Sequence, residues 1–246
     1  MKALVTGVSG FIGSHLAEAL VAGGHEVRGV DCFTDYYDTC VKRANIAGLL
    51  VTGGLEMVEA DLRSAELGRL LSGVDVVFHQ AGQPGVRLSW SSGFEAYVQH
   101  NVLVTQRLLE ALRESDVGRF VFASSSSVYG NAPSYPSEET DLPRPHSPYG
   151  VTKLAAEHLC RLYTANWDVP TVCLRYFTVY GPRQRPDMAF HRFIESALDG
   201  REIPLFGTGE QTRDFSYVAD VVRANLAAAT AEVPPGCVMN LSLIHI

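Results

Sequence analysis

The turn Gly7-Val8-Ser9-Gly10-Phe11-Ile12-Gly13 constrains this chain more than any other stretch. The apolar run Lys2 to Thr6 precedes it, and the amphipathic run Ser14 to Ala22 follows it. A short apolar run ended by glycine has the form of a buried parallel strand. The glycines permit a tight turn from that strand into a helix and a close approach of backbone to ligand. The first N–H groups of the helix have no partner within it, and they suit a pyrophosphate. The spacing is GxxGxxG, not the GxGxxG of the standard dinucleotide turn. The sequence beyond it points the same way. Glu26 to Val30 reads as a second strand ending at Asp31, close to the offset at which an acid meets a ribose. A carboxylate there accepts bonds from both ribose hydroxyls and repels a 2′-phosphate, so NAD is expected in preference to NADP. The plainer reading of Asp31 is a cap for the segment after it.

Strand and helix patterns then alternate. The polar loop Asp35-Tyr36-Tyr37-Asp38 is placed to fold over an adenosine, and Val41 to Leu50 reads as a helix. Leu55 to Glu59 is a third strand, leading to Asp61 and Leu62, which are positioned to meet an adenine ring. Arg63 to Leu71 is expected to be helical and Val74 to Phe78 to be a central strand. At the carboxyl end of that strand lies His79-Gln80-Ala81-Gly82-Gln83-Pro84-Gly85-Val86-Arg87. Ligands bind at the carboxyl ends of strands in such sheets. Ala81, Gly82 and Gln83 are therefore cofactor candidates and Arg87 a substrate candidate, while His79 reads as a satisfied buried histidine. Trp90 and Trp167 read as packing residues.

Phe94 to Ser115 predicts one long helix whose apolar face Asn101 interrupts. A buried Asn needs partners, so Asn101 is either a structural link or a contact to the cofactor region. Arg119 to Ala123 is a fifth strand, and its end carries Ser124-Ser125-Ser126-Ser127-Val128-Tyr129-Gly130. Hydroxyls there can donate to a substrate oxygen, or simply form a polar loop. Asn131 to Pro148 is a loop, and Thr171 to Tyr176 a sixth strand. The alternation predicts an α/β fold with a doubly wound parallel sheet.

The stretch Ser147-Pro148-Tyr149-Gly150-Val151-Thr152-Lys153 opens the helix between strands five and six. Ser147 suits the N-cap and Pro148 the first helical position. Tyr149 and Lys153, at i and i+4, share one face. A free phenol has a pKa of about 10, and an ammonium one turn away favours its phenolate. The spacing is thus a way to build a proton acceptor, although exposed Tyr/Lys pairs at this distance are common.

After Phe177 the pattern changes. The loop Thr178 to Met188 carries Arg183 and Arg185, Ala189 to Asp199 reads as a helix and Ile203 to Phe206 as a short strand. The loop Gly207 to Asp214 carries Arg213, and Val218 to Ala231 is a helix. With Arg192, the arginines form a local positive cluster suited to phosphate or carboxylate. The formal charge of −7 gives no electrostatic ground for nucleic acid or an anionic membrane as partner. No apolar run has membrane-spanning length, no signal-peptide layout opens the chain, and five scattered cysteines read as reduced thiols in the cytoplasm. Neither cysteines nor histidines have metal-ligand spacing, so no metal is expected.

Together these parts resemble the extended short-chain dehydrogenase/reductases, and among them the NAD-dependent nucleotide-sugar 4-epimerases. The stretches that carry the resemblance are Thr6-Gly7 with Gly10-Phe11-Ile12-Gly13, Asp31 with Asp35-Tyr36-Tyr37, Ser124-Ser125 ahead of Val128-Tyr129-Gly130, Ser147-Pro148-Tyr149 with Lys153, Arg175-Tyr176-Phe177, and Arg213-Asp214-Phe215 with Tyr217-Val218. The resemblance implies a Rossmann domain over residues 1–176 and a smaller substrate lobe over 177–246. It implies that Tyr149 takes the proton of the sugar 4-hydroxyl, that Lys153 holds the nicotinamide ribose and lowers the tyrosine pKa, and that Ser125 binds the 4-oxygen. Hydride would pass from sugar carbon 4 to NAD and return to the opposite face of a 4-keto sugar. Gly7, Gly10, Phe11, Ile12, Gly13, Asp31, Asp61, Leu62, Ala81, Gly82, Gln83, Asn101 and Tyr176 would line the cofactor site. Sister dehydratases and decarboxylases place acids at the positions of Ser126 and Ser127, which favours plain epimerisation here.

The loop Thr178 to Ala189 and Gly85-Val86-Arg87 look like those of UDP-glucuronate 4-epimerases. Thr178 and Arg185 would then bind the C5 carboxylate, with Arg87, Ser126 and Met188 as further substrate contacts and Arg213 on the diphosphate. A charge-assisted pair gives about 1.5–3 kcal/mol of preference for the acid sugar. UDP-glucose/galactose is the second reading, and a catalytically idle NAD-binding fragment the alternative from another class. Two departures stand out. Cys32 replaces the Asn of many relatives, and the tail Leu241 to Ile246 looks foreign where the family continues, so a truncated lobe is expected. A homodimer through the Phe94–Ser115 and Tyr149–Asn166 helices is the family's habit.

Overall fold

Alternating apolar runs and amphipathic stretches build a seven-stranded, wholly parallel sheet. The computed structural model describes residues 1–132, 135–203, 208–210 and 212–243. In chain order its elements are β1 (Lys2–Thr6), α1 (Phe11–Ala22), β2 (Glu26–Asp31), α2 (Thr39–Val51), β3 (Leu55–Glu59), α3 (Leu67–Leu71), β4 (Val76–His79), α4 (Phe94–Tyr97), α5 (Val104–Leu112), β5 (Arg119–Ser125), α6 (Pro148–Trp167), β6 (Thr171–Tyr176), β7 (Thr178–Tyr180), α7 (Ala189–Leu198), β8 (Phe215–Tyr217), α8 (Val218–Thr230) and β9 (Cys237–Leu241). The sheet order is β3-β2-β1-β4-β5-β6-β9, and β7 and β8 form a separate parallel pair. Strand order reverses between β1 and β4, where Thr6 pairs with His79. In an open α/β sheet that reversal leaves a crevice at the strands' carboxyl ends.

The sheet is covered on both faces, as parallel sheets must be. Ala3, Val5, Phe78, Val121 and Val172 pack on one side with Leu16 and Leu20 of α1 and Val221 of α8. Their strand neighbours Leu4, Val77, Phe120, Phe122 and Cys173 pack on the other with Leu108, Leu109, Ala156 and Cys160 of α5 and α6. The two clusters alternate along each strand with a period of two, which is why these strands read as unbroken apolar runs.

Two expected elements differ, and a third lies largely outside the described residues. The helix expected over Arg63 to Leu71 begins only at Leu67. Asp61 draws the preceding backbone into a turn instead: its side chain accepts from the Arg63 amide, a local competition in which short polar side chains excel, and its backbone carbonyl accepts from the amides of Ser64 and Ala65. The long helix after Phe94 is continuous but not uniform, because Val98–Leu103 is a π-helical segment containing Asn101. Of the strand expected at Ile203 to Phe206, residues 204–206 lie outside the described residues, as do 244–246 of the tail. Residues beyond 176 return to the main sheet, since β9 pairs with β6 and α8 packs on α1. They also supply the β7–β8 pair and α7, which overhang the strand ends.

Candidate active site

The Gly-rich turn is shaped for a close ligand approach. Gly7 sits at φ +66°, and a Cβ on Gly13 would run into the Gly7 carbonyl oxygen. Gly10 caps α1 with no side-chain bond, so the first amides of the helix remain open. A cleft over this turn is lined by Gly7, Gly10, Phe11, Ile12, Gly13, Asp31, Asp61, Leu62, Ala81, Gly82, Gln83, Tyr149, Lys153 and Tyr176. Asp31 is held in place by the amides of Ser9 (3.1 Å) and Phe33 (2.9 Å). Asn101 lies behind the wall: it accepts from the Gln83 amide (2.7 Å), and it donates to the Gln83 carbonyl (3.1 Å) and to Thr152 Oγ1 (3.1 Å). Asn101 thus ties the β4 loop to α6. His79 is fully buried between Thr6 Oγ1 (2.7 Å) and Thr105 Oγ1 (3.1 Å). Burial, with the Lys153 charge, pushes its pKa down to about 3, so it is a neutral core histidine.

α6 starts as its cap predicts, with Ser147 Oγ accepting from the Gly150 amide (3.1 Å) and Pro148 at the first turn. This fixes Tyr149 over the cleft beside Tyr97, edge to face at 6.1 Å. Burial pushes the Tyr149 phenol above its usual value, while the Ser125 hydroxyl and the Arg185 charge act in the other direction. Lys153 lies one turn further along α6. Its ammonium donates to the Ala123 carbonyl (2.9 Å) and stands over the Phe122 ring. Its tip also borders the cleft, since a Cβ on Gly82 would lie 3.3 Å from Nζ. Burial lowers the Lys153 pKa to about 8.

A second cavity adjoins the first and shares Phe11, Ile12, Tyr149, Tyr176 and Arg185 with it. Its walls include Arg87, Ser125, Ser126, Ser127, Thr178, Met188 and Arg192. Arg185 holds Asp187 with both arms of its guanidinium, Nε to Oδ1 at 2.9 Å and Nη2 to Oδ2 at 3.1 Å. The arginine cluster expected from the sequence is divided. Arg183 turns away to Glu18 (2.7 Å) and Ser14 (3.3 Å) of α1. Arg213 is exposed ahead of β8, donates to the neighbouring Thr212 carbonyl (2.7 Å) and stands on neither wall.

The model of a family described as NAD dependent epimerase/dehydratase matches residues 3–242. The chain belongs to the NAD-dependent epimerase/dehydratase family. It is 50% identical over 224 residues to a Bacillus subtilis (strain 168) protein described as an uncharacterized UDP-glucose epimerase, covering 91% of this chain and 71% of that one. It is 38% identical to a probable UDP-glucuronate 4-epimerase of Rhizobium meliloti (strain 1021), covering 96% of this chain and 69% of the relative. The solved UDP-glucuronic acid 4-epimerase of Bacillus cereus, in complex with UDP-glucuronic acid and NAD, superposes with a TM-score of 0.95 at 47% identity, over 98% of this chain and 77% of the other.

For a member of the epimerase/dehydratase family the cleft has the features NAD needs: a turn whose glycines stand where a Cβ would clash, open helix amides and an ordered Asp31 carboxylate. Its wall also holds residues the sequence reading passed over. Lys42 lines the cleft and donates to the Thr34 carbonyl (2.5 Å) and hydroxyl (3.0 Å). Gln80 bonds the Tyr176 hydroxyl (3.0 Å) and Asn225 (3.0 Å). Lys42 had a legible signal, since it shares the buried face of α2 with Asn45, Ile46 and Leu49. A cation on a core-facing stripe is out of pattern and marks a polar neighbour.

Proposed function

We propose that this family member epimerises carbon 4 of a UDP-sugar, with UDP-glucuronate, interconverted with UDP-galacturonate, as its substrate. The observation that carries the reading is the place of Tyr149 and Arg185 on the shared wall of both cavities, with Ser125 beside them on the wall of the second. A reacting carbon seated there lies between the dinucleotide cleft and a hydroxyl-lined chamber. NAD, held by the Gly7–Gly13 turn, Asp31 and Lys153, supplies a reversible two-electron oxidation of a secondary alcohol.

The residues of the chain do the rest. Ser125 donates to the sugar 4-oxygen and positions its proton toward Tyr149. Tyr149 takes that proton as phenolate, the state that the Arg185 charge favours, and returns it when the alcohol re-forms. The serines at 126 and 127 and Thr178 offer neutral hydrogen bonds, which hold a sugar loosely enough to present either face. Neither Ser126 nor Ser127 supplies an acid at the end of β5, so elimination and decarboxylation lack their proton carrier there. The likeness to the Bacillus cereus enzyme supports the acid sugar, and the name of the Bacillus subtilis relative supports UDP-glucose as the second reading.

The experiment is direct. Purified protein with NAD and UDP-glucuronate is expected to form UDP-galacturonate, resolved by anion-exchange chromatography. Tyr149→Phe is expected to lower turnover at least about a hundredfold, the usual range for a positioned proton carrier. Unchanged turnover in that variant would remove Tyr149 from the mechanism, and product from UDP-glucose alone would favour the second reading.

A further inference from the structure

We infer that Asp187 sets how strictly this site demands an acidic sugar, by occupying the Nε–Nη2 edge of the Arg185 guanidinium and offsetting its charge, so that a substrate carboxylate either displaces it or meets a cation already paired. The inference rests on the reading of the second cavity as a UDP-sugar site, and names the residue that grades its specificity.

Three observations lead there. First, Arg185 is held by Asp187 in the two-armed geometry that a guanidinium gives a free carboxylate, at 2.9 and 3.1 Å. The site thus already contains the ligand type it is shaped for. Second, Asp187 is fastened from another direction, because Tyr36 Oη donates to its Oδ2 at 3.1 Å. Tyr36 comes from the loop after β2, so the bond joins the adenosine side of the cleft to the loop before α7. Third, the pair is placed for exchange. The Arg185 side chain is 21% exposed and that of Asp187 37%. Asp187 is the partner with the easier route to solvent, while Arg185 stays on both cavity walls.

The two classes of sugar then meet different sites. A neutral sugar leaves the Arg185–Asp187 pair intact, so no cation is stranded beneath it. An acidic sugar either exchanges one carboxylate for another or shares a guanidinium whose charge is already offset, so its gain is small in both cases. Asp187 therefore lowers the reward for a C5 carboxylate and spares the neutral sugar the burial of an unpaired charge. Neutralising it reverses both effects. The acidic sugar gains a partner without breaking one, and the neutral sugar covers an uncompensated guanidinium.

The test measures UDP-glucuronate and UDP-glucose binding to NAD-loaded protein by calorimetry, in a Tyr149→Phe background that suppresses turnover. Asp187→Asn is expected to raise the ratio of acidic to neutral affinity by roughly tenfold, the low end for a charge-assisted bond in a partly open site. Tyr36→Phe loosens Asp187 without removing it, and is expected to raise the ratio by a smaller factor, through the acidic sugar alone. A structural role for Asp187 would weaken both sugars together. Equal losses, or a ratio that falls, overturn the inference and leave the functional reading standing. A Tyr149→Phe protein with unmodified Asp187 that binds neither UDP-sugar overturns the functional reading, and this inference with it.

Discussion

Lys153 is a cation whose burial has a cost that pH can reveal. Its pKa falls from the ordinary lysine value to about 8 because the surroundings of α6 desolvate it. Between about 8 and the unfolded value near 10.4 the unfolded chain binds more protons than the folded one, so this residue makes stability rise with pH in that window. Binding follows the opposite course. If the ammonium holds the nicotinamide ribose, its charge is present at pH 7 and largely gone at pH 9. NAD should then bind about tenfold more weakly at pH 9, the loss of one charge-assisted hydrogen bond of about 1.5 kcal/mol. Equilibrium dialysis reads this directly, and Lys153→Met should bind weakly with no such pH dependence. Because Lys153 itself stabilises the fold across that rise, weaker binding would not reflect its unfolding the site. A flat wild-type profile would detach the ammonium from the dinucleotide. The spacing of Tyr149 and Lys153 was legible in the sequence. That the Arg185 charge also acts on the phenol was not, because Arg185 arrives from the distant loop before α7.

The elements explain why most of the fold was legible and some of the site was not. Six strands of the main sheet announce themselves as short apolar runs, and β6 spans the expected Thr171–Tyr176. Asp61 defeated the reading of α3, because a single side chain accepting from a nearby amide outweighs a helical pattern of marginal length. The π-helical turn at Asn101 has no signature in apolar periodicity. Glu157 was missed for a related reason: it occupies the buried face of α6 one turn beyond Lys153, where a pattern search expects an apolar residue. There it accepts from Arg175 through Nε (3.0 Å) and Nη2 (2.5 Å), and from Ser124 Oγ (2.8 Å). Arg175 donates on to Tyr129 (2.7 Å), whose hydroxyl donates to Asn240 of β9 (2.7 Å). One buried ion pair thus fastens α6 to β5, β6 and β9 just below Ser125. Glu157→Ala strands the Arg175 charge and should cost about 3–5 kcal/mol in urea unfolding. Arg175→Met strands the carboxylate at a similar cost. The double variant should lose clearly less than the two together, with a coupling above about 1 kcal/mol, since residues in one network are not additive. Strict additivity would show that the pair is not the tie between these elements.

At the scale of the whole molecule, the site and the outer helices face different ways. Tyr149 looks into the cleft, while Val151 and Leu162 on the same helix are exposed, as are Phe94 and Leu103 on the neighbouring π- and α-helical run. α5 and α6 pack on each other and on the sheet, so these apolar side chains lie on their outward sides. Apolar residues that recur along two adjacent helices suit a self-complementary surface, and a two-fold pairing presents each of them twice. We expect a homodimer joined through these helices, with twice the chain mass by light scattering at tens of micromolar. An isologous contact makes single substitutions unusually informative, because each one places two like charges in the same interface. Leu162→Glu and Val151→Glu should each yield monomer, whereas Leu198→Glu, at an apolar and still more exposed position on α7, should leave the dimer whole. The NAD cleft is built from one chain alone, so the monomeric variants should keep the dinucleotide affinity of the wild type. A wild-type protein that stays monomeric, or a Leu162→Glu variant that stays dimeric, would move the contact away from α6 and leave that face to another partner.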